Sequence, residues 1–461
     1  MTAIDAYAAN EERSGLRPAR LVPQDMDYAA IGEAIARPAL GKPGRGWFYA
    51  LIFTSIATAI LVGGFVWVFA VGFGIFGNNT TIVWGYPIAN YVWWIGIGNA
   101  GTLISALLLI TRQRWRASIN RFAEAMTIFA LVIAGTFPII HLGRPLYAYW
   151  LAPYPNTMHL WPQWRSALVW DFFAILSYLL FSIMFWYTGL LPDLAAFRGR
   201  ARTRAARIFY GILALGWHGS ARHWQCYRVF AVTMAGMAVP LVCSVHSIVG
   251  LDFAASLEPS WQETIFPPYF VVGAMFSGFA MVVVLAALIR WGFGLHALVT
   301  DRHFDLMAQI LLMSSLIMGA SYAMEWFTAW YGGEAVNRSV VRFMFTGVWA
   351  PLYWAMLLFN VVFPQVFWFP AARHNVVLIC IIAILINAGM WLERILIIWM
   401  TLGHDYMPSM HRLFFPTAAD WLFLIAPLGF FAFLFLVFVR LLPSISIHEV
   451  RELKHEEEAA T

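Results

Sequence analysis

Charged residues are scarce in this chain of 461 residues: they make up 11% of it, while hydrophobic residues make up 61%. A soluble domain is about one quarter charged, so the composition excludes an ordinary soluble protein and indicates a polytopic membrane protein. The net charge of +5 does not argue for nucleic acid, and we expect no nucleic-acid partner. The basic residues stand in short loops beside apolar runs, where membrane topology explains them.

Cysteine is also rare. The three cysteines, Cys226, Cys243 and Cys380, form no CxxC or CxxCH pattern, which argues against c-type haem attachment and a local set of iron–sulfur ligands. Haem b would need facing histidines on separate helices at matching depth, and the histidines do not supply such pairs. We therefore expect the chain to bind no haem, no iron–sulfur cluster and no metal.

Long apolar runs fill the rest of the chain. A bilayer core requires about 20 apolar residues per helix, and this rule predicts an all-α integral membrane protein with ten transmembrane helices. The predicted spans are 48–73, 88–111, 122–141, 167–190, 228–249, 268–290, 304–330, 341–363, 375–400 and 418–440. They form a domain at 47–440, between a polar N-terminal segment at 1–46 and a charged tail at 441–461.

The loops predict the orientation, because cytoplasmic loops carry an excess of Lys and Arg. With the N-terminus inside, 23 of the 29 basic residues lie on the cytoplasmic side. The first apolar run starts too late, after too polar a segment, for a secretory signal peptide. We expect a multi-pass protein of the bacterial inner membrane with both termini in the cytoplasm.

Two polar segments are typical of a membrane interface. Residues 27–40 favour a short amphipathic helix before the first span. Residues 198–228 begin with RGRARTRAAR, which indicates either a basic helix on anionic lipid headgroups or a solvated linker that sets topology.

A weak internal repeat appears in the spans. The third ends in TFPIIHLG and the fifth contains AVPLVCSVHSIVG, each with a proline and a histidine. This pattern predicts two four-helix bundles, about 88–249 and 268–400, with two flanking helices.

Four ionisable residues stand in otherwise apolar segments: His141, Asp171, His246 and Asp252. Such groups cost free energy at membrane depth and mark ligand or proton chemistry. Their motifs are PIIHLGRP (138–145), VWDFF (169–173) and SVHSIVGLDFA (244–254). The orientation predicts that all four lie towards the outer side.

A histidine exchanges protons near neutral pH, so His141 suits the binding of a quinol hydroxyl. Asp171 either complements the dipole of its helix or accepts a second proton as a general base opposite His141. Arg144 suits the same pocket, a lipid headgroup or an acidic partner.

His246 and Asp252 would be about 600° apart on a continuous helix, so they would not share a face. We expect a break at Gly250 that turns both into one cavity, although Asp252 would equally serve as a helix cap.

Glu325 lies in the seventh span, where a buried carboxylate needs a partner or relays protons. Glu393 and Arg394 lie in the ninth. Because adjacent residues do not face each other on a helix, we expect them to serve different partners, which include Glu325 and Asp252.

Seven sequence motifs resemble the NrfD/polysulfide-reductase family of membrane subunits. They are HLGRP, YWLAPYPN, WPQWRSALVWDFF, SIVGLDFA, TIFPPYFVVGAMFSGFAMV, NAGMWLERILII and DYMPS. Within this family they are most similar to the ActC branch, which belongs to bacterial alternative complex III. This resemblance covers spans two to ten. His404 departs from it, because a basic residue is expected at that position.

The resemblance implies a cofactor-free subunit that oxidises a quinol, with menaquinone favoured over ubiquinone, near the periplasmic face. His141 and Asp171 would be catalytic, and Arg144, His246, Asp252 and Arg394 would line the quinol pocket. Asp252, Glu325 and Glu393 would form a proton route.

The implied partners are an iron–sulfur subunit with a 3Fe–4S cluster, multihaem and monohaem c-type cytochromes, a paralogous NrfD-like subunit, lipids and a terminal oxidase. Two alternatives stay open: a proton-translocating subunit of the ActF type without quinol turnover, and a quinol-oxidising anchor of the polysulfide or nitrite reductase type. A secondary transporter lacks support, because no inverted repeat with a broken helix at the midplane is visible.

Overall fold

The computed structural model describes residues 20–459, with the side chain of Leu168 excepted. Within that part, ten helices are long and apolar enough to cross a bilayer, which confirms the predicted fold class. These spans are α2 (Arg45–Val71), α3 (Tyr86–Ile110), α4 (Asn120–His141), α5 (Ala167–Arg200), α7 (Ala221–Ala254), α8 (Phe266–Phe293), α9 (Asp301–Tyr331), α11 (Ala350–Trp368), α12 (Val376–Leu402) and α13 (Ala418–Leu441). Four further helices of at least ten residues are α1 (Tyr28–Leu40), α6 (Arg204–Leu213), α10 (Ala335–Thr346) and α14 (Ile447–Ala459).

The spans form the two predicted bundles. Bundle one consists of α3, α4, α5 and α7, and bundle two of α8, α9, α11 and α12; the two pack together through α3 and α8, while α2 and α13 flank bundle one. The close approach of α3 and α8 depends on Gly278, where an added Cβ would lie 1.8 Å from the Cβ of Ala100. The core of the molecule therefore follows the seam between the bundles.

Two spans extend well beyond their apolar cores. Each of α5 and α7 has 34 residues, a length of about 51 Å that exceeds a bilayer core. The predicted spans were shorter because the ends of both helices are charged. These ends project as helical extensions at the predicted cytoplasmic side.

The predicted eighth span at 341–363 was wrong at its start. Residues 335–346 form the separate helix α10, and the spanning helix α11 begins only at Ala350. Gly347 adopts an extended conformation between them, and Pro351 occupies the first turn of α11, where its missing N–H costs no helical hydrogen bond. The apolar residues on both sides of the break concealed it in the sequence.

Helices α1 and α14 pack together beside α13 and cover the end of bundle one. Asp27 caps α1 by accepting from the Ala30 amide, at 2.6 Å. Glu457 on α14 accepts the amides of Leu21 and Val22. Helix α1 therefore exists as predicted, but its apolar face is buried against protein and not in lipid.

The basic stretch after α5 divides into the short helix α6 and the start of α7. The side chains of Ile208, Phe209 and Ile212 on α6 are exposed, and arginines stand beside them. This arrangement is typical of an interfacial helix, and lipid contact stays a prediction.

Candidate functional site

Four polar side chains meet at one end of bundle one. Tyr91 lies near the start of α3, His141 at the end of α4, Asp171 near the start of α5 and Asp252 near the end of α7. Because the four helices alternate in direction, these positions fall at the same end of the bundle. The loop charges predict that this end is the outer one.

The tyrosine stands between the predicted catalytic residues. The ring of Tyr91 packs edge-on against the ring of His141, with 5.4 Å between the centroids. Its hydroxyl lies within electrostatic reach of both Asp171 and Asp252, and the two carboxyl groups neighbour each other. We name these four residues the outer cluster.

The polar atoms of the outer cluster have few partners. The buried polar atoms are the Tyr91 hydroxyl, both ring nitrogens of His141, both carboxyl oxygens of Asp171 and Oδ1 of Asp252. Among the residues that the structure describes, the ring nitrogens of His141 have no hydrogen-bond partner, and the Asp171 carboxyl group finds partners only within the cluster, at Tyr91 and Asp252. An unsatisfied buried polar group costs roughly 1–3 kcal/mol, and here several stand together. This arrangement indicates a site for a ligand with hydroxyl or carbonyl groups.

Asp252 and His246 do not share one cavity in the way that the sequence predicted. Helix α7 continues unbroken through Gly250 to Ala254, so the expected break is wrong. Gly250 instead permits close packing, because an added Cβ would lie 2.8 Å from the Cα of Pro267. Asp252 joins the outer cluster, whereas His246 pairs through Nδ1 with the Asn99 amide nitrogen at 2.5 Å.

Arg144 is not part of the outer cluster. It lies in the loop after α4 and is exposed, followed by exposed aromatic side chains at Tyr147, Tyr149 and Trp150. This position suits contact with lipid headgroups or a partner better than contact with a buried ligand.

Glu393 and Arg394 belong to bundle two and pair with each other. Arg394 Nη1 lies 2.6 Å from Glu393 Oε1, and both residues are buried. The expectation of different partners was therefore wrong, because a long guanidinium side chain can fold back to its neighbour. Each residue also has a second contact: Glu393 accepts from the Tyr322 hydroxyl, and the Arg394 guanidinium stacks on the ring of Phe270, 4.0 Å from its centroid.

Asn360 completes this group, which we name the paired network: Tyr322, Asn360, Glu393 and Arg394. The Asn360 amide donates to the Tyr322 oxygen at 3.0 Å. Asn360 lies in the π-helical turn Leu358–Val362 of α11. Such turns occur often at functional sites. Here the turn presents the Asn360 carbonyl to the hydroxyl of Ser315, at 2.7 Å.

Glu325 lies six residues from the end of α9 and is half-buried, so it is less deep than the sequence suggested. It lines a small cavity of about 20 Å³ with Glu393, Tyr269 and Tyr353, which is room for roughly one water molecule. The loop residue Glu263 lies within electrostatic reach of Glu325. Burial raises the pKa of Glu263, while a hydrogen bond from Thr328 opposes the rise.

The sequence analysis did not predict five of these residues: Tyr91, Asn99, Glu263, Tyr322 and Asn360. Tyr91 and Asn99 stand in the run YVWWIGIGNAGT, where a tyrosine and an asparagine look like ordinary interfacial or capping residues. Glu263 stands in a polar loop. For Asn99 a signal was available, because Thr102 and Ser105 follow it at three-residue spacing and place polar groups on one face of α3.

Comparison with known proteins gives a consistent answer. The model of the family described as "Polysulphide reductase, NrfD" matches residues 74–402. A putative membrane subunit of dimethyl sulfoxide reductase from Halobacterium salinarum is 26% identical over 260 residues, covering 55% of this chain and 54% of the relative. A selenate reductase subunit from Mesobacillus selenatarsenatis is 25% identical over 210 residues, covering 44% and 47%. The chain thus spans about half the length of each of these relatives.

Proposed function

Because the chain belongs to the polysulphide reductase NrfD family, we propose that it is the quinol-binding membrane subunit of a respiratory oxidoreductase complex. The observation that carries this proposal is the outer cluster, whose buried polar atoms have no hydrogen-bond partner outside the cluster among the described residues. A quinol headgroup has two hydroxyl groups that would donate to these acceptors. Its apolar ring and tail suit the surrounding bundle.

The chemistry requires two proton acceptors. Oxidation of one quinol to quinone breaks two O–H bonds and releases two protons and two electrons. His141 would accept one proton at a ring nitrogen, and the carboxyl pair of Asp171 and Asp252 would accept the other. Tyr91 would orient the headgroup between them. The electrons would leave one at a time to an iron–sulfur cluster in a partner protein docked on the same side.

Within the family, we propose the quinol-oxidising role of the ActC branch of alternative complex III, in the bacterial inner membrane with both termini in the cytoplasm. The motif strings of α4, α5, α7 and α12 support this assignment. The partners would be an iron–sulfur subunit with a 3Fe–4S cluster, multihaem and monohaem c-type cytochromes and a paralogous NrfD-like subunit. The substrate would be menaquinol.

The names of the two relatives favour a competing assignment, an anchor that oxidises quinol for a terminal reductase. The outer cluster serves both assignments equally, because each begins with quinol oxidation. The partner proteins distinguish them. Copurification with multihaem cytochromes supports alternative complex III, whereas copurification with a large catalytic reductase protein supports the anchor.

The decisive experiment is extraction of quinone from the purified complex, combined with quinol turnover of Asp171→Asn. We expect bound quinone in the native complex and a turnover loss of at least about 100-fold in the variant. Asp25→Asn, at an exposed position near α1, is the matched control and should retain full turnover. Full turnover in an assembled Asp171→Asn complex would remove Asp171 from the mechanism.

A second candidate function is proton translocation without quinol turnover, as in the ActF branch. The observation that favours it is the line of carboxyl groups in bundle two, from Glu393 through the small cavity to Glu325 and on to Glu263. Asp252 would feed the same route from bundle one. The test is the number of protons moved per electron in liposomes containing the complex with Glu325→Gln. An unchanged number would exclude Glu325 from any proton route.

A further inference from the structure

The chain is unusually basic where α5 ends and α7 begins. No acidic residue occurs between Asp193 and Asp252, whereas seven arginines lie from Arg198 to Arg228. The loop charges predict that this end of bundle one faces the cytoplasm, where the membrane surface carries anionic lipids. A basic loop by itself reflects membrane topology, so a binding site requires evidence from the packing.

Two clefts adjoin at this end of bundle one. The larger, of about 450 Å³, lies where α5, α7 and α14 meet, and the smaller has a volume of about 240 Å³. Tyr227, Arg228 and His448 line both of them. The smaller cleft continues past Phe185 of α5 and Val232 of α7, towards the middle of the bundle. The two clefts therefore form one groove, which we name the basal groove.

The inner wall of the basal groove carries charges that balance each other. Arg121 lies 3.1 Å from Glu124 and 3.7 Å from Glu449. Glu449 also pairs with Arg116, at 2.9 Å. Buried charges require partners, and here two arginines and two glutamates supply them to one another. These residues therefore leave no carboxylate free for Arg228.

Arg228 stands at the junction of the two clefts without a partner. It is exposed, and its guanidinium forms no ion pair and no hydrogen bond with the residues that the structure describes. Asp193, a buried carboxylate in the groove, lies 3.6 Å from Arg121 and 3.4 Å from His448. Glu452 also lines both clefts, but it is exposed and does not pair with Arg228. The charge of Arg228 is therefore available to a ligand.

Two further arginines stand side by side at the larger cleft. Arg451 of α14 lines this cleft, and a side chain at Gly32 would collide with the terminal nitrogens of both Arg451 and Arg200. Each arginine donates to a backbone carbonyl oxygen, and neither forms an ion pair with a described residue. Asp27 and Asp193 are within electrostatic reach of Arg451 but not paired with it. Neighbouring like charges repel, and a bound anion would relieve the repulsion.

Aromatic residues indicate that the basal groove lies at the level of the membrane surface. Trp and Tyr concentrate at the two interfaces of a bilayer, because their rings are apolar and carry one polar group. The rings of Trp224 and Tyr227 lie 5.8 Å apart, and Trp217 packs edge-on against both. Arg228 comes next in the chain and is the first residue of the predicted apolar span 228–249. Its guanidinium therefore stands at the depth of the lipid headgroups.

We propose that the basal groove binds an anionic phospholipid of the cytoplasmic leaflet, with its phosphate group between Arg228 and Arg451. Both arginines line the larger cleft, and guanidinium groups bind phosphate oxygens through paired, charge-assisted hydrogen bonds. One acyl chain lies along Phe185 and Val232, which line the smaller cleft. The site is at the opposite end of bundle one from the outer cluster, so it does not depend on the proposed quinol chemistry.

The apolar surroundings favour a lipid over a soluble phosphate compound. Val229 and Val232 of α7 are exposed, as are Ile208 and Ile212 of the neighbouring helix α6. A soluble anion would contact the arginines and leave these side chains in water, whereas a lipid would cover them. Because Arg451 belongs to α14, the bound phosphate would also link the C-terminal helix to bundle one.

The test is photo-crosslinking of the whole complex in lipid nanodiscs that contain phosphatidylglycerol with a photoreactive acyl chain, followed by peptide mapping. We expect labelled peptides from α5 around Phe185 and from α7 around Val232. Arg228→Gln should lower the yield at these peptides by at least about fivefold. Arg222→Gln removes the same charge from the exposed start of α7, outside both clefts, and should retain the native yield.

Glu452→Gln provides a change of the opposite sign, because it removes a negative charge from both clefts and should raise the labelling yield. Three results would overturn the proposal. They are equal losses in Arg228→Gln and Arg222→Gln, equal labelling by a phosphatidylcholine of the same acyl chains, and complete competition by glycerol phosphate, which would make the ligand a soluble anion. An unchanged yield in Glu452→Gln would likewise place the phosphate away from the groove. None of these results bears on the quinol site, which is tested by bound quinone and turnover.

Discussion

The two bundles are both built from four helices, but they differ in how their buried ionisable groups are paired. In bundle one, the polar atoms of the outer cluster lie buried with few partners among the described residues. In bundle two, Glu393 pairs with Arg394 and accepts from Tyr322, which in turn accepts from Asn360. Buried atoms without a hydrogen-bond partner also occur in bundle two, at Oδ1 of Asn360 and at Oε1 and Nη1 of Glu393 and Arg394, but there the ion pair of these two residues balances the charges. The difference supports the proposal that the quinol site lies in bundle one, where the carboxyl groups of Asp171 and Asp252 have no basic partner among the described residues.

The bundles also differ at the ends that lie away from the outer cluster. Bundle two neutralises Asp305 with Arg302 and Arg373, at 2.5 Å and 2.8 Å, from its own helices and the loop between them. In bundle one, Arg116 and Arg121 instead pair with Glu449, which lies on the C-terminal helix α14. Within the described part of the chain, bundle one therefore depends on an element from outside the bundle, next to a cavity with room for water.

The largest effect should come from breaking the paired network of bundle two. Arg394→Met leaves the Glu393 carboxylate buried without its ion-pair partner, and such a loss costs roughly 3–5 kcal/mol. We expect a strongly lowered melting temperature of the purified complex. The double variant Glu393→Gln with Arg394→Met should recover much of that stability. Equal melting of the native and single-variant complexes would mean that the pair contributes no net stability.

The second largest effect is a difference in quinol turnover between variants of the two bundles. Asp252→Asn removes a proton acceptor from the outer cluster and should reduce quinol turnover by about 100-fold. The matched change in bundle two, Tyr322→Phe, removes one hydroxyl from the paired network and should retain most of the turnover. Steady-state quinol oxidation with an artificial acceptor measures both. A larger loss in Tyr322→Phe than in Asp252→Asn would reverse the assignment of the bundles.

A smaller effect is expected from Tyr91→Phe. The ring contact with His141 remains, but the hydroxyl that faces the carboxyl pair is lost. A hydrogen bond to the ligand contributes roughly 0.5–1.5 kcal/mol, so we expect up to about a tenfold rise in KM for quinol with little change in assembly. Titration of quinol turnover gives the value, and an unchanged KM would place the ligand away from Tyr91.

The smallest effect concerns the end of bundle one that lies away from the outer cluster, and its dependence on pH. Burial raises the pKa of Glu449, but Arg116 and Arg121 outweigh it and hold the pKa below the ordinary glutamate value. Its stabilising charge is therefore present at neutral pH and is lost as the pH falls below about 4.3. We expect the C-terminal helix to resist protease near neutrality and to become sensitive in acid. Glu449→Gln should raise its sensitivity at neutral pH, and native-like resistance of that variant would argue against the ion pairs.

Much of the fold could be predicted from the sequence, because the bilayer imposes a simple rule. Ten apolar runs became ten spans, and most ends lay within a few residues of the prediction. The errors arose where apolar character continued through a break, as at Gly347, or where charged ends extended a helix, as in α5. Hydropathy reports the cost of burial in lipid, and it does not report where a helix stops.

The candidate site was predictable as a list of residues but not as an arrangement. Buried ionisable groups are visible in the sequence because they are rare, so His141, Asp171 and Asp252 stood out. The role of Tyr91 beside them could not be predicted from the sequence, because a tyrosine near a helix end is common. The separation of Asp252 from His246 also depended on whether α7 continued through Gly250, and glycine permits either outcome.

The amino-acid sequence by itself determined the membrane class, the number of spans and the presence of ionisable groups within them. Each of these follows from local composition and from the cost of moving charge into hydrocarbon. Tertiary structure alone decided how those groups are arranged, because the side chains around each of them come from helices far apart in the chain. The ion pair of Glu393 and Arg394 and the neighbouring carboxyl groups of Asp171 and Asp252 look alike in sequence, and only packing distinguishes them.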